Sequence, residues 1–241
     1  MAKVNTFGQN LKKFLSKNLF PEKFRCLVCD IEIFEGDLCA DCLKSLSSND
    51  GATCPKCGRK TAKSEICIEC KAHMPAYDRA FSPLVYEDGS AELVAAFKDG
   101  RPFIANYLSA RMAAVLNELP AVDGIAYVPM TDRVLRKRGY NQSELLAKAL
   151  SAAIGVPVLG GAVTKVKETT AQKDLARAQR LKNLQDCFKA DKKEVNGKKL
   201  LVVDDIMTTG ATADSMALAL KKAGACTVFV VTAASVEYSK I

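Results

Sequence analysis

Leu200-Leu201-Val202-Val203-Asp204-Asp205-Ile206-Met207-Thr208-Thr209-Gly210-Ala211-Thr212 carries, within thirteen residues, the groups needed to hold a sugar 5-phosphate. Four consecutive apolar residues describe a strand buried on both faces, as in a parallel sheet. Two carboxylates follow beyond the strand's carboxyl end, where open α/β sheets place their ligands. An ionised carboxylate only accepts hydrogen bonds, so Asp204 and Asp205 suit adjacent sugar hydroxyls. Thr208, Thr209, Gly210 and Thr212 supply hydroxyl and backbone N–H donors at the start of a helix, a cradle for phosphate. The plain alternative is a strand end whose acidic pair caps the next helix. The complete pattern favours the phosphate site.

Outward from this stretch the chain alternates strands and helices. Residues 79–86 alternate as a strand, and 90–117 carry helical periodicity interrupted around Asp99-Gly100-Arg101-Pro102. A strand is predicted at 123–128. A helix over 141–154 has an apolar face of Leu145, Leu146, Ala149, Leu150, Ala153 and Ile154, with Gly155 as its stop. Asn196-Gly197 turns the chain into the strand at 199–203, a helix spans 212–223, and 226–232 is a last buried strand. The fold class is therefore α/β, a parallel or mixed sheet flanked by helices.

Pro129 to Asn141 follows the 123–128 strand and places Arg133, Arg136, Lys137 and Arg138 at another strand's carboxyl end, where a pyrophosphate would be attracted. A solvated basic helix start is the plain reading of the same residues. Residues 164–183 form a polar segment suited to a mobile lid that brings Lys165, Lys167 or Arg177 over a leaving group, although a surface loop has the same composition.

Eight of the ten cysteines lie between Cys26 and Cys70. Cys26, Cys29, Cys39, Cys42 and Cys54, Cys57, Cys67, Cys70 are two copies of C-x2-C-x9-C-x2-C, an internal repeat. Four thiolates close the tetrahedral shell of a structural zinc ion, whereas a catalytic zinc keeps a position open. Two structural zinc ions are expected, in place of disulfides or idle buried thiols. Ligation is sequential or interleaved on this spacing, and the sequential arrangement is expected. His73, the single histidine, reads as an exposed linker residue and not as a fifth ligand.

At 241 residues the chain accommodates one sizeable core and a small appendage, and its apolar fraction of 49% is ordinary for a globular protein. A formal charge of +8 is compatible with phosphorylated or nucleic-acid partners, but the basic residues are spread widely. No secretory signal or apolar run of about twenty residues is present, and the cysteine usage fits a reducing compartment, so a cytoplasmic location is expected. Phe7, Leu11, Phe14 and Leu15 with Lys12, Lys13 and Lys17 make residues 1–22 an amphipathic segment that packs on the protein or lies on a membrane surface. The expected division is this segment, a double zinc-ribbon module at 23–74 and the α/β domain at 75–241.

The 200–212 stretch resembles the phosphoribosyl pyrophosphate (PRPP) signature of type I phosphoribosyltransferases. The resemblance implies that Asp204 and Asp205 hold the ribose hydroxyls, that Asp205, Met207, Thr208, Thr209, Gly210, Ala211 and Thr212 take the phosphate side, and that magnesium accompanies PRPP. The whole chain after about residue 20 resembles the ComF family of competence-associated proteins. That resemblance rests on the cysteine knuckles, Lys98 with Gly100-Arg101, Arg138-Gly139-Tyr140-Asn141-Gln142, Thr169-x-x-Gln172, Arg180-x-x-Asn183 and the PRPP signature. It implies a zinc module before a phosphoribosyltransferase-like domain, and a role in DNA uptake with single-stranded DNA or uptake and recombination proteins as partners. Three functions are compatible with it: a transferase acting on an unidentified acceptor, a PRPP-binding adaptor, and a DNA-binding protein. The chain lacks G-x-x-x-x-G-K-[ST], which argues against an ATP-driven import motor.

Overall fold

The computed structural model describes residues 24–117, 119–167 and 187–237. The amphipathic segment expected at 1–22, Arg177 and most of the expected lid lie outside the described residues. The chain divides into two compact units, Met1–Ser45 and Leu46–Ile241.

In the first unit, β1 (Phe24–Arg25) pairs antiparallel with β2 (Glu32–Ile33), and α1 (Ala40–Lys44) follows. Cys39 is the N-cap of α1, its sulfur accepting the Cys42 N–H at 3.4 Å. The knuckles therefore sit on a tight hairpin and on a helix start.

The second unit is built on a mixed sheet. Its strands are β3 (Leu46–Ser48), β4 (Arg79–Phe81), β5 (Leu84–Glu87), β6 (Gly124–Tyr127), β9 (Lys199–Met207) and β10 (Thr227–Ser235). The order is β3-β5-β10-β9-β6, with β4 also pairing β10. Every pairing is parallel except β3 with β5. The segment expected as one strand at 79–86 is two strands, separated at Ser82-Pro83, both of which lie beside β10.

Leu200 through Val203 are fully buried in the middle of this sheet, as is Val228 through Val231 apart from a slightly exposed Phe229. After a short α2 (Ile68–Ala72), the helices α3 (Asp88–Lys98), α4 (Ile104–Ala114), α6 (Gln142–Ile154) and α8 (Ala211–Lys222) pack on the sheet, with α5 (Asp132–Arg138) a shorter helix after β6. Each long helix directs one apolar stripe inward, such as Leu146, Ala147 and Leu150 of α6 or Ala213, Met216, Ala217 and Leu220 of α8. Gly155 ends α6 with φ +71°, the left-handed conformation that the expected stop required. The helical stretch 90–117 breaks where expected, at Gly100 with φ +98°.

The expected strand 199–203 does not stop before the acidic pair. β9 runs to Met207, and Thr232 to Ser235 of β10 keep pace with it, so Asp204 and Asp205 are strand residues and not loop residues. Likewise, the beginning of the expected lid is a strand: β7 (Val163–Lys165) pairs antiparallel with β8 (Phe188–Ala190). A short α7 (Lys192–Val195) and the Asn196-Gly197 turn lead into β9. Among the described residues no helix is long and apolar enough to cross a membrane.

Candidate functional site

The carboxyl ends of β6 and β9 lie side by side, with Tyr127 opposite Val203. Asp204 is the next residue along β9, and Pro129 to Arg138 leave β6 at the same end. The sequence between α5 and α6 then builds one wall of the site. Tyr140 donates its hydroxyl to the Phe97 carbonyl and packs its ring 6.1 Å from that of Phe97, which fixes the end of α3 where Lys98 sits. Asn141 anchors itself on the Val128 carbonyl and caps α6 by accepting the Ser143 and Glu144 N–H groups at 3.0 and 3.4 Å. Ser143, in the first turn so fixed, donates its hydroxyl to Asp204 Oδ1 at 2.8 Å.

Asp205 meets a cation. Lys98 Nζ lies 3.0 Å from its Oδ2, and both side chains are largely buried. The two carboxylates therefore face different surroundings. Burial, and next the repulsion of Asp205, push the Asp204 carboxyl up to about 7, against the Ser143 hydroxyl, the Asp205 N–H and Lys98. A carboxyl poised there exchanges its proton near neutrality and becomes a full acceptor when hydroxyl donors arrive.

Past Met207 the chain turns through Thr208, Thr209 and Gly210 into α8. Gly210 caps α8 with φ +80°, a conformation that costs other residues about 1 kcal/mol or more. The first turn of α8 leaves backbone N–H groups without intrahelical partners, and the helix dipole adds to their attraction for an anion. Asp204, Ile206, Met207, Thr208, Gly210, Ala211, Thr212, Ala213 and Thr232 line one small pocket, so an acidic acceptor and the phosphate-type turn open on a common space.

Several expected residues take other places. Met207 and Ala211 are buried, and Met207 accepts the Val236 N–H at its carbonyl, so these residues can contribute backbone but not exposed side chains. Thr209 is also buried, its hydroxyl accepting the Ala211 N–H at 3.4 Å. Arg133, Arg136 and Arg138 lie exposed on α5. Arg138 donates to Gln142 at 3.2 Å. Lys165 sits on β7 with its ammonium 6.0 Å from the Phe188 ring centre, and Lys167 is exposed beyond it. Lys98, Ser143 and Asn141 join the site without having been marked as ligands of the acidic pair. Their partners are 107, 61 and 13 residues away in the chain, and no local pattern records such a meeting.

Both cysteine sets come together sequentially. Cys26, Cys29, Cys39 and Cys42 have their sulfurs within 4.8 Å of one another, and so do Cys54, Cys57, Cys67 and Cys70. A tetrahedral zinc with Zn–S of about 2.3 Å needs sulfurs about 3.8 Å apart. Cys29 and Cys39 are 3.8 Å apart and Cys57 and Cys67 3.7 Å, so the thiols fit the ion. A hydrogen bond from Cys70 above all holds the Cys57 thiol down at about 5, while that same contact and burial push Cys70 far up. Four thiolates this close need a cation before all can ionise. His73 is half exposed, outside both sets, and bonds Asp214 at 3.0 Å.

Family models match this division of labour. That of the double zinc ribbon domain matches residues 15–71, and that of the phosphoribosyl transferase domain residues 113–239. Competence protein F of Haemophilus influenzae is 30% identical over 213 residues, covering 83% of this chain and 92% of its own length. The chain belongs to the ComF family. DNA utilization protein YhgH of Escherichia coli K12 is 30% identical over 218 residues, covering 84% of this chain and 93% of its own. Competence protein ComFC of Bacillus subtilis is 24% identical over 225 residues, covering 84% and 90%. The ComF resemblance read from the sequence is thus shown, and with it a phosphoribosyltransferase-type α/β fold preceded by a double zinc ribbon with two four-cysteine sites.

Proposed function

We propose that this ComF-family protein binds PRPP with magnesium at the Asp204–Thr212 segment and that this binding serves DNA uptake. The carrying observation is the pocket lined by Asp204 together with Thr208, Gly210 and Thr212. Ribose hydroxyls would donate to Asp204 and Asp205, displacing Ser143 and Lys98 from their present bonds. The 5-phosphate would take the N–H groups of the turn and of the first turn of α8. Magnesium would arrive with the pyrophosphate and neutralise it as a leaving group. The basic helix α5, at the same sheet edge, supplies further positive charge.

The names of the relatives, two competence proteins and a DNA utilization protein, support a role in handling incoming DNA. Eight cysteines grouped in two metal-type sets support a reducing, cytoplasmic setting. Transfer of the phosphoribosyl group to an acceptor is the enzymatic form of this function, and PRPP-gated adaptation is the other. Pyrophosphate release in the presence of an acceptor separates them.

Calorimetric titration of PRPP and magnesium tests the binding step. The Asp204→Asn/Asp205→Asn double substitution replaces acceptor-only carboxylates with amides, and each charged hydrogen bond lost weakens binding by roughly 1–3 kcal/mol. The expected result is a loss of affinity of at least about thirtyfold, and a strain carrying the double substitution at normal protein levels should transform poorly. Equal affinity in the double variant would remove PRPP from this site.

A further inference from the structure

The second zinc ribbon touches the phosphate-type turn directly. Cys54-Pro55-Lys56-Cys57-Gly58-Arg59 folds back on itself, Gly58 N–H bonding the Cys54 carbonyl at 2.9 Å and Cys54 N–H the Arg59 carbonyl at 2.8 Å. Gly58 has φ +69°, and a Cβ there would stand 2.3 Å from the Ala80 carbonyl oxygen, so the knuckle is seated hard against β4. The same knuckle is pinned by Ala80 N–H to Lys56 O at 2.9 Å and by Asn49 Nδ2 to Gly58 O at 2.8 Å.

From this seat Arg59 extends a guanidinium to the carbonyl of Thr208. The residue is 2% exposed, and its Nε has no partner among the described residues. Among those residues no carboxylate forms an ion pair with it. A Cβ on Gly210 would lie 3.7 Å from Arg59 Nη2 and 3.5 Å from the Tyr77 hydroxyl, so the two side chains form the floor of the turn. Two further bonds brace the first turn of α8 from the chain just after Cys70: Ala76 N–H and His73 Nε2 meet the buried carboxylate of Asp214 at 2.6 and 3.0 Å.

A buried guanidinium bonded only to a neutral carbonyl leaves a positive charge under the turn, and burying a charge is expensive unless anions answer it. One answer is the cysteine set two residues before it in the knuckle, which with zinc bound by four thiolates would be a net dianionic centre. The other is a phosphate on the opposite side of the turn. We propose that Arg59 is a positioning residue through which the second zinc ribbon sets the shape and charge of the turn that receives the 5-phosphate. The proposal rests on the PRPP reading above and adds the zinc ribbon to that site.

The test compares full-length wild type with Arg59→Gln and Arg59→Lys. Zinc content, amide hydrogen exchange of the ligand-free proteins, and titration with ribose 5-phosphate and with pyrophosphate, each with magnesium, are measured. For Arg59→Gln the expected results are two zinc ions per chain and exchange at least tenfold faster confined to residues 207–213. Ribose 5-phosphate affinity should fall at least tenfold, with pyrophosphate affinity unchanged. Arg59→Lys, which keeps the charge but not the fork of donors, should fall between. Unchanged exchange at 207–213 would overturn the proposal, as would a uniform rise across the chain with zinc loss, which marks a packing role. Wild-type protein that fails to bind either ligand sinks the PRPP reading, whereas the exchange comparison still decides the brace.

Discussion

Asp204→Asn raises the melting temperature of the ligand-free protein at pH 8 and leaves it unchanged at about pH 4. The carboxyl of Asp204 holds its proton up to about 7 in the folded protein, against 3.8 in an ordinary carboxyl. Between those values the native state binds more protons than the unfolded chain, so this group makes stability fall as pH rises from about 4 to about 7. Above that window the destabilisation is complete and amounts to on the order of 4 kcal/mol. An amide at 204 keeps an acceptor for the Ser143 hydroxyl and the Asp205 N–H but carries no charge. The gain is expected to be about 8–16 °C at pH 8, read from thermal melts across pH. A variant less stable than wild type at pH 8 would show that the Asp204 charge is a structural asset. The expected sign is that of a site carrying a charge its fold would rather lack, as binding sites often do.

The largest effect is expected from the second zinc site. Cys54, Cys57, Cys67 and Cys70 are buried in one apolar cluster with Tyr77, Ala80, Met207, Ala213 and Met216, so the metal sits inside the core of the larger unit. Structural zinc contributes on the order of 10 kcal/mol, comparable with the whole stability of a domain. Cys54→Ser should therefore lower zinc to about one ion per chain and abolish the cooperative melt of the α/β unit. Cys26 belongs to the other compact unit, and its sulfur set includes the exposed Cys29. Cys26→Ser should also remove one zinc yet leave the main melting transition in place. Elemental analysis with circular dichroism melts decides the matter. A Cys54→Ser protein that melts like wild type would contradict a metal that holds this core together.

The layers of the fold were legible because they depend on local pattern. The apolar run Leu200–Val203 and the glycine at 155 each state their environment within a few residues, whereas of the face expected on α6 only Leu146 and Leu150 are buried, Leu145, Ala149 and Ile154 are half-buried and Ala153 is exposed, because the helix turns Gln142, Ser143 and Ala147 inward with them. The length of β9 was less legible, because Asp204 and Asp205 look like the end of a strand. They remain in the sheet because β10 extends to Ser235 as a pairing partner, and because Ser143 and Lys98 receive the two carboxylates. The spacing of the cysteines left sequential and interleaved grouping both open, and the fold brings the sulfurs together sequentially. The bond from Arg59 to Thr208 joins residues 149 apart and could be seen only once the chain was folded.

A structure determined with PRPP and magnesium present decides whether the Asp204–Thr212 segment is the PRPP site. The 5-phosphate is expected against the N–H groups of Thr208 through Thr212, the ribose hydroxyls on Asp204 and Asp205, and Lys98 released from Asp205. Ligand bound elsewhere, with the Lys98–Asp205 pair intact at 3.0 Å, would contradict it.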